Sequence, residues 1–142
     1  MANEYMPILA VGCRGAMIVR TLREIVGTER DVNWGNGQSR RFLLERDGMG
    51  FAMMETLILA GTNIFIQYRN HLEACYCLEG EGEIADSDGN RYPISPGTLY
   101  ALDKHDPHHL RAWTDMRLIS VFNPPIRGNE RHDLGGSETS SY

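Results

Sequence analysis

The stretch Tyr68-Arg69-Asn70-His71-Leu72-Glu73-Ala74-Cys75-Tyr76-Cys77-Leu78-Glu79-Gly80-Glu81-Gly82-Glu83 reads as a strand running into a glycine-broken turn. Strand side chains alternate between faces, so His71, Glu73, Cys75 and Cys77 fall on one side and Leu72, Ala74, Tyr76 and Leu78 on the other. The second set is apolar. The first lines up an imidazole, a carboxylate and two thiols, an unusual set to bury and one suited to the wall of a small polar cavity.

The short-strand pattern continues outward from this stretch. Candidate strands cover 41–45, 50–60, 63–69, 74–78, 83–86, 91–94, 98–102, 109–113 and 117–122, punctuated by Asp47-Gly48, Ala60-Gly61, Gly80-Glu81-Gly82, Asp88-Gly89 and Pro96-Gly97. Short strands with turns every ~8 to 12 residues predict an antiparallel sandwich or barrel. Upstream, Ile18-Val19 predicts a short strand. Thr21-Leu22-Arg23-Glu24 has capping-box spacing and opens a helix that Gly27 stops after two turns. Asn33-Trp34-Gly35-Asn36-Gly37 reads as a loop. After Asn123 the chain is proline-led, then polar and Gly/Ser-rich, beginning ordered and ending frayed. The expected division is a flexible leader over 1–16, one domain over 17–133 and a disordered tail over 134–142.

A chain of 142 residues holds one compact domain with a real core and leaves little room for a second. A net charge of -5 and a pI near 5.5 argue against the basic footprint of a nucleic-acid binder. No apolar run approaches the ~18 residues a membrane span needs. Met6-Pro7-Ile8-Leu9-Ala10-Val11-Gly12-Cys13 has no basic residue before its short apolar core. A flexible leader, or an extension upstream of a functional start at Met17, fits it better than a signal segment ending at a lipidated cysteine. Three cysteines cannot all pair within one chain, and Cys75 and Cys77, two apart on one strand, would close only with heavy strain. Reduced thiols in a cytosolic protein are the expectation.

Gly89, Ser95-Pro96-Gly97 and Tyr100 fall at the spacing of the second cupin motif, where Tyr100 holds the place of a metal-binding histidine. In the first cupin motif two histidines one residue apart bind the metal; the matching pair here is His71 and Glu73. These departures resemble one cupin family. Asn70-His71-Leu72-Glu73-Ala74, Glu79-Gly80-Glu81-Gly82-Glu83, Pro96-Gly97-Thr98-Leu99-Tyr100-Ala101-Leu102-Asp103-Lys104-His105-Asp106, Val121-Phe122-Asn123-Pro124-Pro125 and Gly128-Asn129-Glu130 resemble ectoine synthases, from Met17-Ile18-Val19-Arg20 to about Asp133.

The resemblance implies an all-β fold, a single small antiparallel β-barrel of the cupin or jelly-roll type with a short N-terminal helix. It implies a hydro-lyase that joins the 2-amino group of N4-acetyl-L-2,4-diaminobutyrate to its own acetamide carbonyl carbon. Water leaves and the cyclic amidine ectoine, a compatible solute used under osmotic stress, remains. It also implies one ferrous iron, Fe(2+), on Glu73, Tyr100 and His108, whose oxygen and nitrogen donors suit an exchangeable catalytic ion. Such an ion would polarise an otherwise poor electrophile. Of the neighbouring histidines, His105 and His109 compete with His108, which alone keeps the family spacing.

By the same resemblance Arg41 pairs with the substrate carboxylate through a two-pronged contact. Thr56 and Tyr68 supply hydroxyls to the cavity, Phe122 packs on the ring, and Glu130 meets the ring-forming nitrogen; Glu130 and Tyr68 are the candidates for catalysis. The family often has a tryptophan four residues before the arginine, where this chain has Gly37, and Trp34 is the candidate to fill that space. Met54 stands where a polar residue is frequent, and Ser120 where cysteine is common. His71 either holds Glu73 or is a strand residue at the mouth. Simpler readings stay open: a strand carboxylate paired with an arginine for Glu73, a core aromatic for Tyr100, and solvated positions for Arg41 and Glu130. The alternative function is a non-catalytic cupin sensing a small amino-acid derivative, which needs no metal trio. An iron oxygenase or isomerase would favour a histidine-rich set. A cytoplasmic homodimer paired through sheet edges is expected, with no nucleic-acid or membrane partner.

Overall fold

The computed structural model describes residues 16–130. Residues 1–15 of the leader expected over 1–16, Cys13 among them, and the tail expected over 134–142 lie outside them.

Thr21 caps the helix α1, Leu22–Ile25. Its hydroxyl accepts from the Glu24 N–H at 3.3 Å while the Glu24 carboxylate accepts from the Thr21 N–H at 2.7 Å, the reciprocal box its spacing predicts. The helix is one turn long rather than two, because Val26 already turns to ψ 128 while its N–H closes on the Leu22 carbonyl. The strand expected at Ile18-Val19 does not form. Both residues are exposed and outside any ladder; this segment is anchored instead by Arg20, which donates to the Phe42 carbonyl and pairs with Asp47 at 2.7 Å.

Ten strands follow: β1 Asp31–Asn33, β2 Gly37–Leu43, β3 Ala52–Ile58, β4 Asn63–Ile66, β5 Leu72–Glu79, β6 Gly82–Asp86, β7 Arg91–Ile94, β8 Leu99–Leu102, β9 His108–Ala112 and β10 Met116–Asn123. They form a six-stranded sheet, β1-β2-β3-β10-β5-β8, and a four-stranded sheet, β4-β9-β6-β7, antiparallel at every pairing. The all-β expectation is met as two sheets around a shared core; among the described residues no ladder joins them into a closed barrel.

The loop expected at 33–37 is the tip of a hairpin. Asn33 pairs with Gln38, and the Gln38 side chain donates to Asp31 at 2.8 Å. Three residues, Asp31-Val32-Asn33, are too short a run to establish a period of two, so β1 left no sequence pattern. Strand β2 therefore starts at Gly37, four residues before the expected start at 41. Gly37 has φ +150, and a Cβ there would overlap the Leu57 carbonyl of β3. No tryptophan fits at that position; only glycine lets the two backbones approach so closely.

In β5 the alternation runs as the sequence indicates. His71, just before the strand, and Glu73, Cys75 and Cys77 are buried, while Leu72, Ala74, Tyr76 and Leu78 face outward, Tyr76 being 44% exposed. The polar face is thus the inner one.

Candidate active site

Register across the larger sheet brings distant residues into transverse rows. Arg41 lies opposite Met54, Met54 opposite Ser120, Ser120 opposite Cys75, and Cys75 opposite Tyr100. In the row on one side, Phe122 stands between Ala52 and Glu73. In the row on the other, Thr56 stands between Ser39 and Leu118. From the smaller sheet His108 comes forward on β9, paired with Ile66 and Asp86. The two sheets flank a narrow cavity of about 30 Å³.

Of the residues expected in a site, Trp34, Thr56, Tyr68, Glu73, Tyr100, His108 and Phe122 line this cavity together. Arg41 and Glu130 are not on its wall. Arg41 is 1% exposed and bridges outward from it, its Nε donating to Ser39 Oγ at 3.3 Å and its Nη1 to the Gly128 carbonyl at 2.8 Å. Glu130 lies in a second groove beside His71 and Pro124, its carboxylate accepting from the Arg127 and Gly128 N–H groups at 2.8 and 2.9 Å. Trp34 fills cavity wall that Gly37 cannot, and its Nε1 donates to the Leu57 carbonyl at 3.1 Å.

Glu73 and Cys75 are at most 7% exposed, and Tyr100, partly exposed as a residue, buries its hydroxyl end. Burial pushes the Glu73 carboxyl up to about 8, against a hydrogen bond with Cys75. Burial raises the Tyr100 phenol well above its ordinary value, and the neighbouring Cys75 and Glu73 add to the effect. Three acidic groups thus crowd one enclosed space, and among the described residues no lysine or arginine lines it. His108 is held below its ordinary value by burial, partly offset by the Asp106 carbonyl. Its Nδ1 lies 2.9 Å from that carbonyl; since a carbonyl only accepts, Nδ1 carries the proton and Nε2 keeps its lone pair.

Two further groupings were not visible in the sequence. Ser120 Oγ lies 2.9 Å from Thr56 Oγ1 and 3.2 Å from Cys75 Sγ, tying three strands together inside the cavity. Tyr68 stacks edge-on against Phe122 and His108, with centroids 5.3 and 6.1 Å apart. The spacing of these partners along the chain, up to 64 residues, carries no local signal. Only the serine in place of the family's usual cysteine marked the position.

Among the described residues no group of three His, Cys, Asp or Glu side chains could hold a metal ion; a cation here would need the Tyr100 oxygen. The donors fit a divalent ion in their chemistry: a carboxylate, a phenol and an imidazole lone pair in a space crowded with acids.

The described residues contain no helix long and apolar enough to cross a membrane. The family model described as Ectoine synthase matches residues 17–141. The L-ectoine synthase of Halalkalibacterium halodurans is 54% identical over 121 residues, covering 84% of this chain and 94% of that one. That of Sporosarcina pasteurii is 59% identical over 122 residues, covering 84% and 91%. A crystal structure of ectoine synthase from P. lautus superposes with a TM-score of 0.77 at 55% identity, covering 79% of this chain and 81% of the other. A double-stranded β-helix protein from Klebsiella pneumoniae, 13% identical, superposes at 0.59 over 78% of this chain and 92% of its own, and so shares the fold alone. Matched over most of its own length and most of theirs, the chain belongs to the ectoine synthase family.

Proposed function

We propose that the chain closes the ring of N4-acetyl-L-2,4-diaminobutyrate to ectoine with loss of water, using ferrous iron held by Glu73, Tyr100 and His108. The family membership supports the reaction. The observation that carries the site is the meeting of a buried carboxylate, a buried phenol and a neutral imidazole on one cavity with, among the described residues, no lysine or arginine on its wall.

Held by Glu73, Tyr100 and His108, ferrous iron would supply Lewis acidity, the chemistry that an unreactive amide carbonyl needs. The chain's own residues set the geometry. Arg41, behind the wall and tied to it through Ser39, which lines the cavity, and held from outside by the Gly128 carbonyl, is the candidate partner for the substrate carboxylate. Tyr68 and Phe122, packed edge-on, press the flexible substrate into a ring-like conformation, which removes much of the entropic obstacle to cyclisation. Burial pushes the Glu130 carboxyl up, but the Arg127 and Gly128 N–H groups, with His71 nearby, outweigh it and leave it below its ordinary value. Ionised near neutrality, and in the second groove rather than on the cavity wall, it is a weak base and suits attracting the substrate's ammonium better than taking its proton. The neutral amine nitrogen bonds to the carbonyl carbon and gives up two protons, the carbon–oxygen bond breaks, and the oxygen carries those two protons away as water.

The chain acts as a cytoplasmic homodimer. Free, buried Cys75 and Cys77 accord with a reducing compartment, and exposed Tyr76 and Leu99, cross-strand partners on the outer face of the larger sheet, offer apolar surface for a second copy.

The test is an anaerobic assay with ferrous iron comparing N4-acetyl-2,4-diaminobutyrate with its N2-acetyl isomer. Ectoine formed from the first, with the second slower, supports the assignment; no ectoine from either refutes it.

A further inference from the structure

His105 stands between β8 and β9 with φ +54, a left-handed conformation uncommon for a residue with a side chain. Its Nδ1 lies 2.9 Å from the Tyr68 carbonyl and 3.2 Å from the His71 carbonyl. Neither oxygen can donate, so the imidazole N–H is shared between the two. The Gln67 amide returns a hydrogen bond to the His105 carbonyl at 3.2 Å. The next residue, Asp106, supplies the carbonyl that orients His108. A single residue therefore fastens the 67–71 connection, which carries Tyr68, to the turn that aims His108, and the two rings meet edge-on across that junction.

We propose that His105 is a positioning residue for ring closure: its shared N–H locks the 67–71 connection against the 103–107 turn and keeps Tyr68 and His108 in register across the cavity. The inference rests on the proposed active site. The left-handed backbone aims the imidazole, and the two carbonyls with Gln67 hold it there. Asparagine can take over both duties, since it tolerates this conformation and carries an amide donor. Glycine keeps the backbone and loses the donor; alanine loses both.

The test uses the full chain and its His105→Asn, His105→Gly and His105→Ala variants. It measures kcat, KM, anaerobic affinity for ferrous iron by chelator competition, and Tm. Removing a group that orients a metal ligand usually costs about 10-fold or more in affinity or activity, so glycine and alanine should lower both kcat and iron affinity by that much, KM should move less than about threefold, and asparagine should recover most of the loss. If alanine does not fold, glycine carries the comparison, since it fits the backbone. The proposal is overturned if the glycine variant keeps kcat and iron affinity within about twofold of the parent, or if asparagine does no better than glycine. Absence of ectoine with the parent chain would sink the functional reading instead, and the iron affinities would still report on His105.

Discussion

His108 directs its Nδ1 at the Asp106 carbonyl, 2.9 Å away, and this contact decides which nitrogen is left for the cavity. The ring is expected to be the Nδ1–H tautomer near neutral pH, with Nε2 bare. Long-range nitrogen–proton NMR of the metal-free protein checks this, with zinc as a diamagnetic probe that should move the Nε2 signal and leave Nδ1 protonated. An Nε2–H tautomer would remove His108 from the donor set.

Arg41→Lys should raise KM about tenfold with a smaller change in kcat, because an ammonium cannot bridge Ser39 and Gly128 while presenting a two-pronged face to a carboxylate. Steady-state kinetics separate the two parameters; an unchanged KM would place the substrate carboxylate elsewhere.

Ser120→Ala strips one partner from both Thr56 and Cys75 and should cost about 1 to 2 kcal/mol in urea unfolding. Ser120→Cys keeps a small polar group at the same place and should cost less than about 1 kcal/mol. Equal losses in the two variants would mean that the hydrogen bonds contribute nothing.

Gly37→Ala meets both a backbone at φ +150 and the Leu57 carbonyl, and should destabilise the fold by about 2 kcal/mol or more. Trp34→Ala opens a hole in the cavity wall, at about 3 kcal/mol or more, and should also raise KM. Unfolding midpoints and kinetics together distinguish a backbone effect, confined to stability, from a wall effect that reaches the substrate.

Asp47 gives a pH signature. Burial pushes its carboxyl up, but hydrogen bonds from Arg20, the Leu44 N–H and Arg30 outweigh that and hold it well below its ordinary value of 3.8. The sign follows: the folded chain binds this proton less readily than the unfolded one, so the contribution is complete above about pH 5 and drains away as pH falls through the ordinary value toward the folded one. Asp47→Asn should lower stability near neutrality and flatten the acid limb. A parallel acid limb in the variant would contradict this.

Much of the site was legible because β5 alternates cleanly: His71, Glu73, Cys75 and Cys77 are buried together, as a period of two requires. The family motifs identified Tyr100 and His108, and both line the cavity with Glu73. The sequence could not show register. Nothing local says that Ser120 stands between Met54 and Cys75, or that the His105 side chain ends on carbonyls 37 and 34 residues away. The failures at Ile18-Val19 and Asp31–Asn33 have one cause. A short strand exists only if a partner edge is present, and partners are set by the tertiary fold.

Iron content measured alongside turnover, on anaerobically purified parent chain and Glu73→Ala, tests the central claim most directly. The parent should carry iron stoichiometrically and form ectoine, while Glu73→Ala should lose both. A Glu73→Ala protein that keeps its full complement of iron would contradict the ligand assignment, whatever its activity.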